Sequence, residues 1–474
     1  MNPYDAISRR AMLKRAACGF GGLALAGICG KNAMAAPVTN PLAPKLPLFA
    51  PKAKRVIFIF MQGGPSQVDT FDYKPDLLAA DGKEIDFKGV RFQTFGKMSK
   101  RKLMKPLWGF KQYGASGRWV SDLFPHMAEH VDDLCFIHSM HTEGVAHGPS
   151  TLFMHTGSTN LIRPSMGSWV TYGLGTENEN LPGFITLMPS ASKGGPRNYS
   201  NAFLPAVYQG TAVGRPGLKA SEATIKNLSN AVTSPEHQLR QFQFMQALNR
   251  EQLAQRQGED ALEAVVASYE LAYRMQMKAP GVMDISDETP ATLKLYGIDE
   301  AHTEDFGRQC LMARKFAEAG VRFIQVNYAD ESTTPRWDQH SDMPKHAEHA
   351  RATDKPVAGL LADLKQRGLL EDTLVWWGGE FGRTPFAQGK DGRDHNPRGF
   401  TVWLAGAGIR PGIAYGQTDA IGHLAVQDKV HMHDLHATIL HLLGLDHEKL
   451  TYPYAGRNFR LTDTSGEIIH GILA

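Results

Sequence analysis

The sequence predicts an α/β protein built on a doubly wound, mostly parallel sheet with helices on both faces, and three observations carry that prediction. Arg55 to Met61 is an almost unbroken apolar run, closed by the turn residues Gln62-Gly63-Gly64-Pro65-Ser66. A run of this kind suits a strand buried on both faces, as helices packed on either side of a parallel sheet require. Shorter runs recur at Leu134 to His138, Gly320 to Tyr328, Thr373 to Trp377 and Phe400 to Ala405, and helical stretches such as Thr353 to Arg367 and Asp434 to Leu443 separate them. Alternating strands and helices favour parallel pairing, and in such sheets a ligand site lies beyond the carboxyl ends of the strands.

Ahead of the first strand stands a three-part leader. Ser8-Arg9-Arg10-Ala11-Met12-Leu13-Lys14-Arg15 is basic, Ala16 to Gly30 is apolar and rich in glycine and alanine, and Ala33-Met34-Ala35 supplies small residues. This is the plan of a cleaved signal. The paired arginines resemble the twin-arginine signature, so residues 1–35 are expected to direct export of the folded chain through the twin-arginine translocase to a periplasmic or extracellular location. The apolar run is too short to span a bilayer stably, and no later run is long enough, so no integral membrane segment is expected in the mature chain.

Removing the leader takes five cationic side chains and one acid, which lowers the formal charge from +3 to about −1. No later segment interleaves Lys and Arg with aromatics, so nucleic acid is not an expected partner. Cys18 and Cys29 leave with the leader; Cys135 and Cys310 remain, too few and too far apart for a disulfide framework, and are read as buried thiols, with one bridge left open by an oxidising compartment. A linker is expected at 36–54 and a single domain at 55–474. Residues 178–300 open with loop sequence and continue into helices, one starting at Ser234-Pro235-Glu236 and another at Glu259, so this stretch is expected to be a helical cap or insertion.

Histidine placement is the most informative feature of the sequence. Its groups are His138, His141, His147 and His155; His340, His346 and His349; His395; and His423 to His447. The first three groups follow predicted strands and are expected to converge at one edge of the sheet. In Trp337-Asp338-Gln339-His340 alternate residues point the same way, so Asp338 and His340 can bind one cation. Glu380 stands at the tip of the next strand between glycines, in Gly378-Gly379-Glu380-Phe381-Gly382-Arg383-Thr384. His395, in Gly392-Arg393-Asp394-His395-Asn396-Pro397, is the best single ligand candidate. Arg383 and Arg393 are read either as forked binders of an anionic oxyacid or as structural ion pairs.

These strings also resemble a known group. His147-Gly-Pro-Ser150-Thr-Leu-Phe-Met-His155-Thr-Gly157 is similar to the sulfatase signature Cys-x-Pro-Ser-Arg with its later Thr-Gly. Asp372-Thr-Leu-Val leading into Gly378-Gly-Glu-Phe-Gly382 resembles the superfamily's Asn-Thr-Leu-Val strand and Ser-Asp-His-Gly. Asp434 to Gly444 and Gly456-Arg457 resemble its late helix and the Gly-Arg that follows. Together these segments resemble the alkaline phosphatase and sulfatase superfamily, and within it Gly-Gly-Glu-Phe-Gly-Arg-Thr-Pro, Gly-Arg-Asp-His-Asn and the leader resemble the exported domain-of-unknown-function family 1501.

The resemblance implies an alkaline-phosphatase-like sheet, with Asp338, His340 and His395 in one metal site and Glu380 where the second site has Asp. It implies a divalent ion, with zinc, calcium or manganese as the choices. The departures are Phe381 where a ligand His is usual, Gln62 and Gly63 where the first strand delivers an aspartate, and His147 at the formylglycine cysteine. Asp69 is a substitute for the missing aspartate or a plain structural acid. Without the cysteine, ordinary sulfatase chemistry is not expected. His147 is then a metal ligand or general base ahead of a nucleophile, and Ser150 is an alternative nucleophile. The expected function is an exported metal-dependent hydrolase of a phosphate, sulfate or related ester, carried by a small molecule or glycan. In it His147, Glu380 and Arg383 are catalytic and Asp338, His340, His395 and Glu380 hold metal. The rivals are a noncatalytic protein binding glycans or a partner protein, and an isomerase or transferase on the same fold.

Overall fold

The computed structural model describes residues 40–86, 100–226, 234–255 and 260–474, so the expected leader lies outside the described residues. Numbering only the central sheet and one hairpin, the strands are β1 (Arg55–Met61), β2 (Leu134–His141), β3 (Phe184–Leu187), β4 (Thr211–Val213), β5 (Phe323–Tyr328), β6 (Thr373–Gly378), β7 (Gly382–Gln388), β8 (Gly392–Asn396), β9 (Phe400–Ala405), β10 (Ile413–Tyr415) and β11 (Val430–His431). The longer helices are α1 (His147–Thr156), α2 (Met166–Leu174), α3 (Pro235–Gln255), α4 (Asp260–Met283), α5 (Glu304–Glu318), α6 (His346–Gln366) and α7 (Met432–Leu442).

The fold is α/β, with a nine-stranded, mostly parallel sheet ordered β10-β2-β9-β6-β1-β5-β3-β4, and β11 sharing the edge of β2 with β10. Only β9 runs against its neighbours, β6 and β2. Every residue of β5, β6 and β9 is buried, as the continuous apolar runs require when both faces are covered. Cross-strand aromatics lock the register: Phe58 faces Trp376 with ring centroids 3.7 Å apart, and Trp377 stacks on Trp403 at 6.0 Å. Each large apolar side chain buried this way stabilises the fold by roughly 1.5–3 kcal/mol relative to exposure.

The sequence reading needs three adjustments. Residues 178–300 do not form only a cap, because β3 and β4 extend the central sheet beyond β5 before the chain enters α3 and α4. At four and three residues these strands are too short for hydrophobic periodicity to separate them from loop. Helix α6 begins at His346, not Thr353, because His346, His349 and Ala350 already belong to its buried face. The described part of the expected linker, from residue 40 onward, lies against the domain: Lys45 N–H donates to Leu174 O at 2.9 Å and Leu48 N–H to Gly444 O at 2.9 Å.

Cys135 and Cys310 are free and buried, and burial pushes the Cys135 thiol up to about 12. Among the described residues, no helix is long and apolar enough to cross a membrane.

Candidate metal centre

The centre is assembled from segments that follow β1, β2, β5 and β6. After β1 the chain turns through Gly63 and Gly64, both at positive φ, of 110° and 75°. A Cβ on Gly63 would stand 2.7 Å from Trp337 N and 2.8 Å from Asp338 N, so only glycine lets the segment bearing Asp338 come this close. The freed Gly63 N–H donates to both oxygens of Glu380, at 3.0 and 3.1 Å. Gln62 ties in the loop after β5 by accepting Asp330 N–H at 3.0 Å.

His147 opens α1, with Pro149 set in its first turn where a missing N–H costs nothing. Asp338 and His340 lie on the loop between β5 and α6. His395 sits on β8, in the hairpin whose other strand, β7, carries Arg383 directly opposite it.

Four ligand atoms, one from each of His147, Asp338, His340 and His395, lie within 4.8 Å of one another, so this buried group could hold a metal ion. Asp338 Oδ1 is the hub: His340 Nε2 lies 2.8 Å away, His147 Nε2 3.1 Å and His395 Nε2 3.2 Å. Each imidazole is fixed from behind through Nδ1. His147 Nδ1 meets Glu380 Oε1 at 2.6 Å, His340 Nδ1 meets Gln388 Oε1 at 2.5 Å, and His395 Nδ1 meets Val145 O at 2.9 Å. All three partners are acceptors, so each Nδ1 donates its proton to the group behind it and the three Nε2 atoms are left facing the same point. Three lone pairs and a carboxylate oxygen repel one another unless a proton or a cation lies among them. The buried Nε2 of His147 has Asp338 Oδ1, at 3.1 Å, as its neighbouring acceptor, and His340 Nε2 stands 3.0 Å from His395 Nε2. An anchored imidazole nitrogen of this kind is what metal ligation calls for.

Electrostatics agree with this arrangement. Burial alone would raise the Asp338 carboxyl, but the Arg383 guanidinium at 2.7 Å leads the groups that hold it well below the usual carboxylate range. Burial would lower His147, but Asp338 and Glu380 more than reverse this and raise it. Burial lowers His395 to about 4, which keeps its ring neutral.

One histidine from each of the three expected groups therefore reaches the centre, and the others do not. His155 packs between Phe58 and Phe60, and His346 accepts Ser66 N–H at 3.2 Å.

The other expected site residues lie around this group of four. Glu380 is fully buried behind His147, outside the group of four, with its Oε1 accepting from His147 Nδ1 at 2.6 Å. Arg383, expected to touch substrate, is 0% exposed; it binds Asp338 and the carbonyls of Gly63, Gly64 and Arg393. Arg393 is equally buried, pairing with Asp69 at 2.7 Å and donating to the carbonyls of Thr384, Met104 and Lys105. Asp69 is thus a structural acid and replaces no ligand. Ser150 is 1% exposed and lies outside the group of four, turned toward Gly144. Phe381 forms a wall, its ring 4.3 Å from that of His395 and 5.0 Å from that of His147.

Sequence reasoning missed two anchors. Gln388 lies in no motif, and Val145 contributes only its carbonyl, which leaves no trace in a side-chain pattern.

A family model described as a protein of unknown function, DUF1501, matches residues 53–473. This chain belongs to the DUF1501 family. No curated protein matches it. Among solved structures, this DUF1501 chain is similar to the alkaline phosphatase from the Antarctic bacterium TAB5, with a TM-score of 0.34 and 10% identity over 84% of this chain and 99% of that one. It is also similar to the lipoteichoic acid synthase LtaP from Listeria monocytogenes, with a TM-score of 0.34 and 9% identity over 90% and 79% of the two chains. A third similar structure is described under the metabolism of multiple glycosaminoglycans by Bacteroides thetaiotaomicron, with a TM-score of 0.35 and 10% identity over 82% and 72%.

Proposed function

We propose that this DUF1501 protein is an exported, metal-dependent hydrolase of a phosphate, sulfate or related oxyacid ester, working outside the cytoplasm after twin-arginine export. The observation that carries the reading is the convergence of His147, His340 and His395 Nε2 on Asp338 Oδ1, each ring held from behind by an acceptor. These four residues would hold the ion. Three nitrogens and one oxygen suit zinc or manganese better than calcium, which takes oxygen ligands. A divalent cation there supplies Lewis acidity that polarises an ester oxygen.

The protein's own groups do the rest. Glu380 fixes the His147 tautomer and Gln388 that of His340. Arg383 holds Asp338 ionised without reaching the substrate. The Phe381 ring keeps one side of the centre dry, and the 25% exposure of the His340 side chain leaves an opening to solvent.

The test is to purify the mature protein, quantify bound metal, and assay a panel of phosphate and sulfate esters, then repeat with His395→Ala and Asp338→Asn. The reading expects about one ion per chain and hydrolysis of at least one ester class, with both lost in the variants. Full metal content in both variants would overturn the site. Metal binding with no hydrolysis across the panel would favour a noncatalytic binding protein, and movement of a phosphate group without net release an isomerase or transferase.

A further inference from the structure

Arg383 and Arg393 are internal, so neither can meet a ligand, but the segment that carries Asp338 holds another guanidinium. Pro335, Arg336, Trp337 and Asp338 form one tight turn, closed by Asp338 N–H donating to Pro335 O at 2.7 Å, with the Trp337 ring fully buried as its anchor. Asp338 joins the metal ligands, while Arg336 lines a separate cavity of about 310 Å³. That cavity lies beside the carboxyl ends of β3 and β5, where Asn327, Tyr328 and Met188 contribute to its wall. Its volume is at the small end for ligand sites, enough for one ring or a short chain.

The charge in the cavity is unbalanced toward cations. Arg336 lies over the Tyr328 ring at 4.6 Å, its Nε donates to Ala329 O at 3.2 Å, and its Nη1 stands 3.5 Å from Tyr328 Oη. Its Nη2 takes part in no hydrogen bond among the described residues. Its nearest carboxylate, Asp330, is 4.0 Å from Nε, and the side chain is 39% exposed. Lys219, also on the wall, makes no ion pair among the described residues. The one acid on the wall, Asp305, is already occupied, accepting Ala220 N–H at 2.6 Å and Gln309 Nε2 at 3.1 Å. Leu218, Phe306 and Met188 supply apolar surface to the same wall. A guanidinium fixed along one edge and free along the other presents a ready fork to an oxyanion, because little side-chain freedom is left to lose on binding.

We propose that this cavity binds an organic oxyanion, a carboxylate, sulfate or phosphate borne on a small ring or chain, with Arg336 and Lys219 as the binding cations. That this ligand is the far end of the substrate handled at the metal centre rests on the hydrolase reading above; the binding itself does not.

The experiment is calorimetry on the metal-loaded mature protein with glucuronate, glucose 6-sulfate, glucose 6-phosphate and uncharged glucose as probes, repeated after chelation. The three anions separate the oxyanion sources. At least one is expected to bind, with glucose roughly tenfold weaker or worse. Arg336→Gln is expected to weaken the anion by roughly tenfold or more, and Arg336→Lys by less, since the charge stays and the fork is lost. The exposed Lys219→Gln gives the same test should Arg336→Gln fail to fold. Equal affinity for glucose and the anions, no heat with any probe, or affinity untouched by the Arg336 and Lys219 variants would overturn the assignment. So would anion binding that vanishes on chelation, since the anion would then be sitting on the metal. Binding that survives chelation and His395→Ala stands whether or not any ester is hydrolysed, so the two readings fail separately.

Discussion

Replacing Glu380 by Gln tests whether His147 is held as a ligand or merely packed. The carboxylate is fully buried, receives His147 Nδ1–H at 2.6 Å, and accepts Gly63 N–H with both oxygens at 3.0 and 3.1 Å. Glutamine keeps one acceptor oxygen and adds an amide donor. Whichever way it turns, either Gly63 N–H or His147 Nδ1–H faces another donor around a fully buried side chain. Leaving one buried donor unpaired costs about 1–3 kcal/mol, and exchanging a charged acceptor for a neutral one costs about 1 kcal/mol more. The total is about 2–4 kcal/mol. The part that acts through the orientation and basicity of His147 is a loss of about 10- to 100-fold in metal affinity. Competition against a chromogenic chelator measures that affinity, and thermal unfolding of chelated protein measures the packing cost separately. If the variant unfolds earlier yet binds metal with unchanged affinity, His147 is not a ligand positioned by Glu380, and the argument for the centre fails.

Three further predictions concern the rest of the molecule. Burial lowers the pKa of His155 and His436 to about 3 each, so both stay neutral in the folded chain while the unfolded chain protonates them below about 6.5. Stability is therefore complete above that pH and falls as pH drops from about 6.5 toward 3, by up to about 1.4 kcal/mol per pH unit for each ring. Urea unfolding between pH 7 and 4.5 should give His155→Leu a shallower slope than the parent, and identical slopes would contradict the assignment. Arg314 is 2% exposed and pairs with Asp363 at 2.9 Å, Glu318 at 2.5 Å and Glu288; Arg314→Met would take a buried cation from buried Asp363 and part-buried Glu288, leaving Asp363 only Arg367 and Tyr296, for an expected loss of about 2–4 kcal/mol in denaturant unfolding, and a loss under 1 kcal/mol would be contrary. Changing Arg9 and Arg10 together to Lys should leave a reporter fused to residues 1–35 in the cytoplasm, whereas undiminished export would remove the twin-arginine reading.

The candidate metal centre was legible to the extent that its residues sit in unusual local strings. Asp338 and His340 were readable because alternation along an extended segment is a local property, and His395 because polar and turn residues crowd ahead of a buried strand. Glu380 was readable as a site residue but not as a support for His147, because its partners Gly63 and His147 are 317 and 233 positions away. The arginines were misplaced for the same reason. A sequence shows a guanidinium beside a ligand, but the number of carbonyls and acids that use up its donors depends on loops brought in from residues 63, 69, 104 and 338.

By itself the sequence determined the sheet, since unbroken apolar runs between turn residues leave a strand no stable place except between two covered faces. It also determined which histidines and acids stood near strand ends. The tertiary structure decided which of those side chains meet and which way each ring faces. It added β3 and β4 as short edge strands, and it turned Arg383 inward and Arg336 outward. Burial and donor satisfaction are properties of everything around a side chain, and most of those neighbours come from hundreds of residues away.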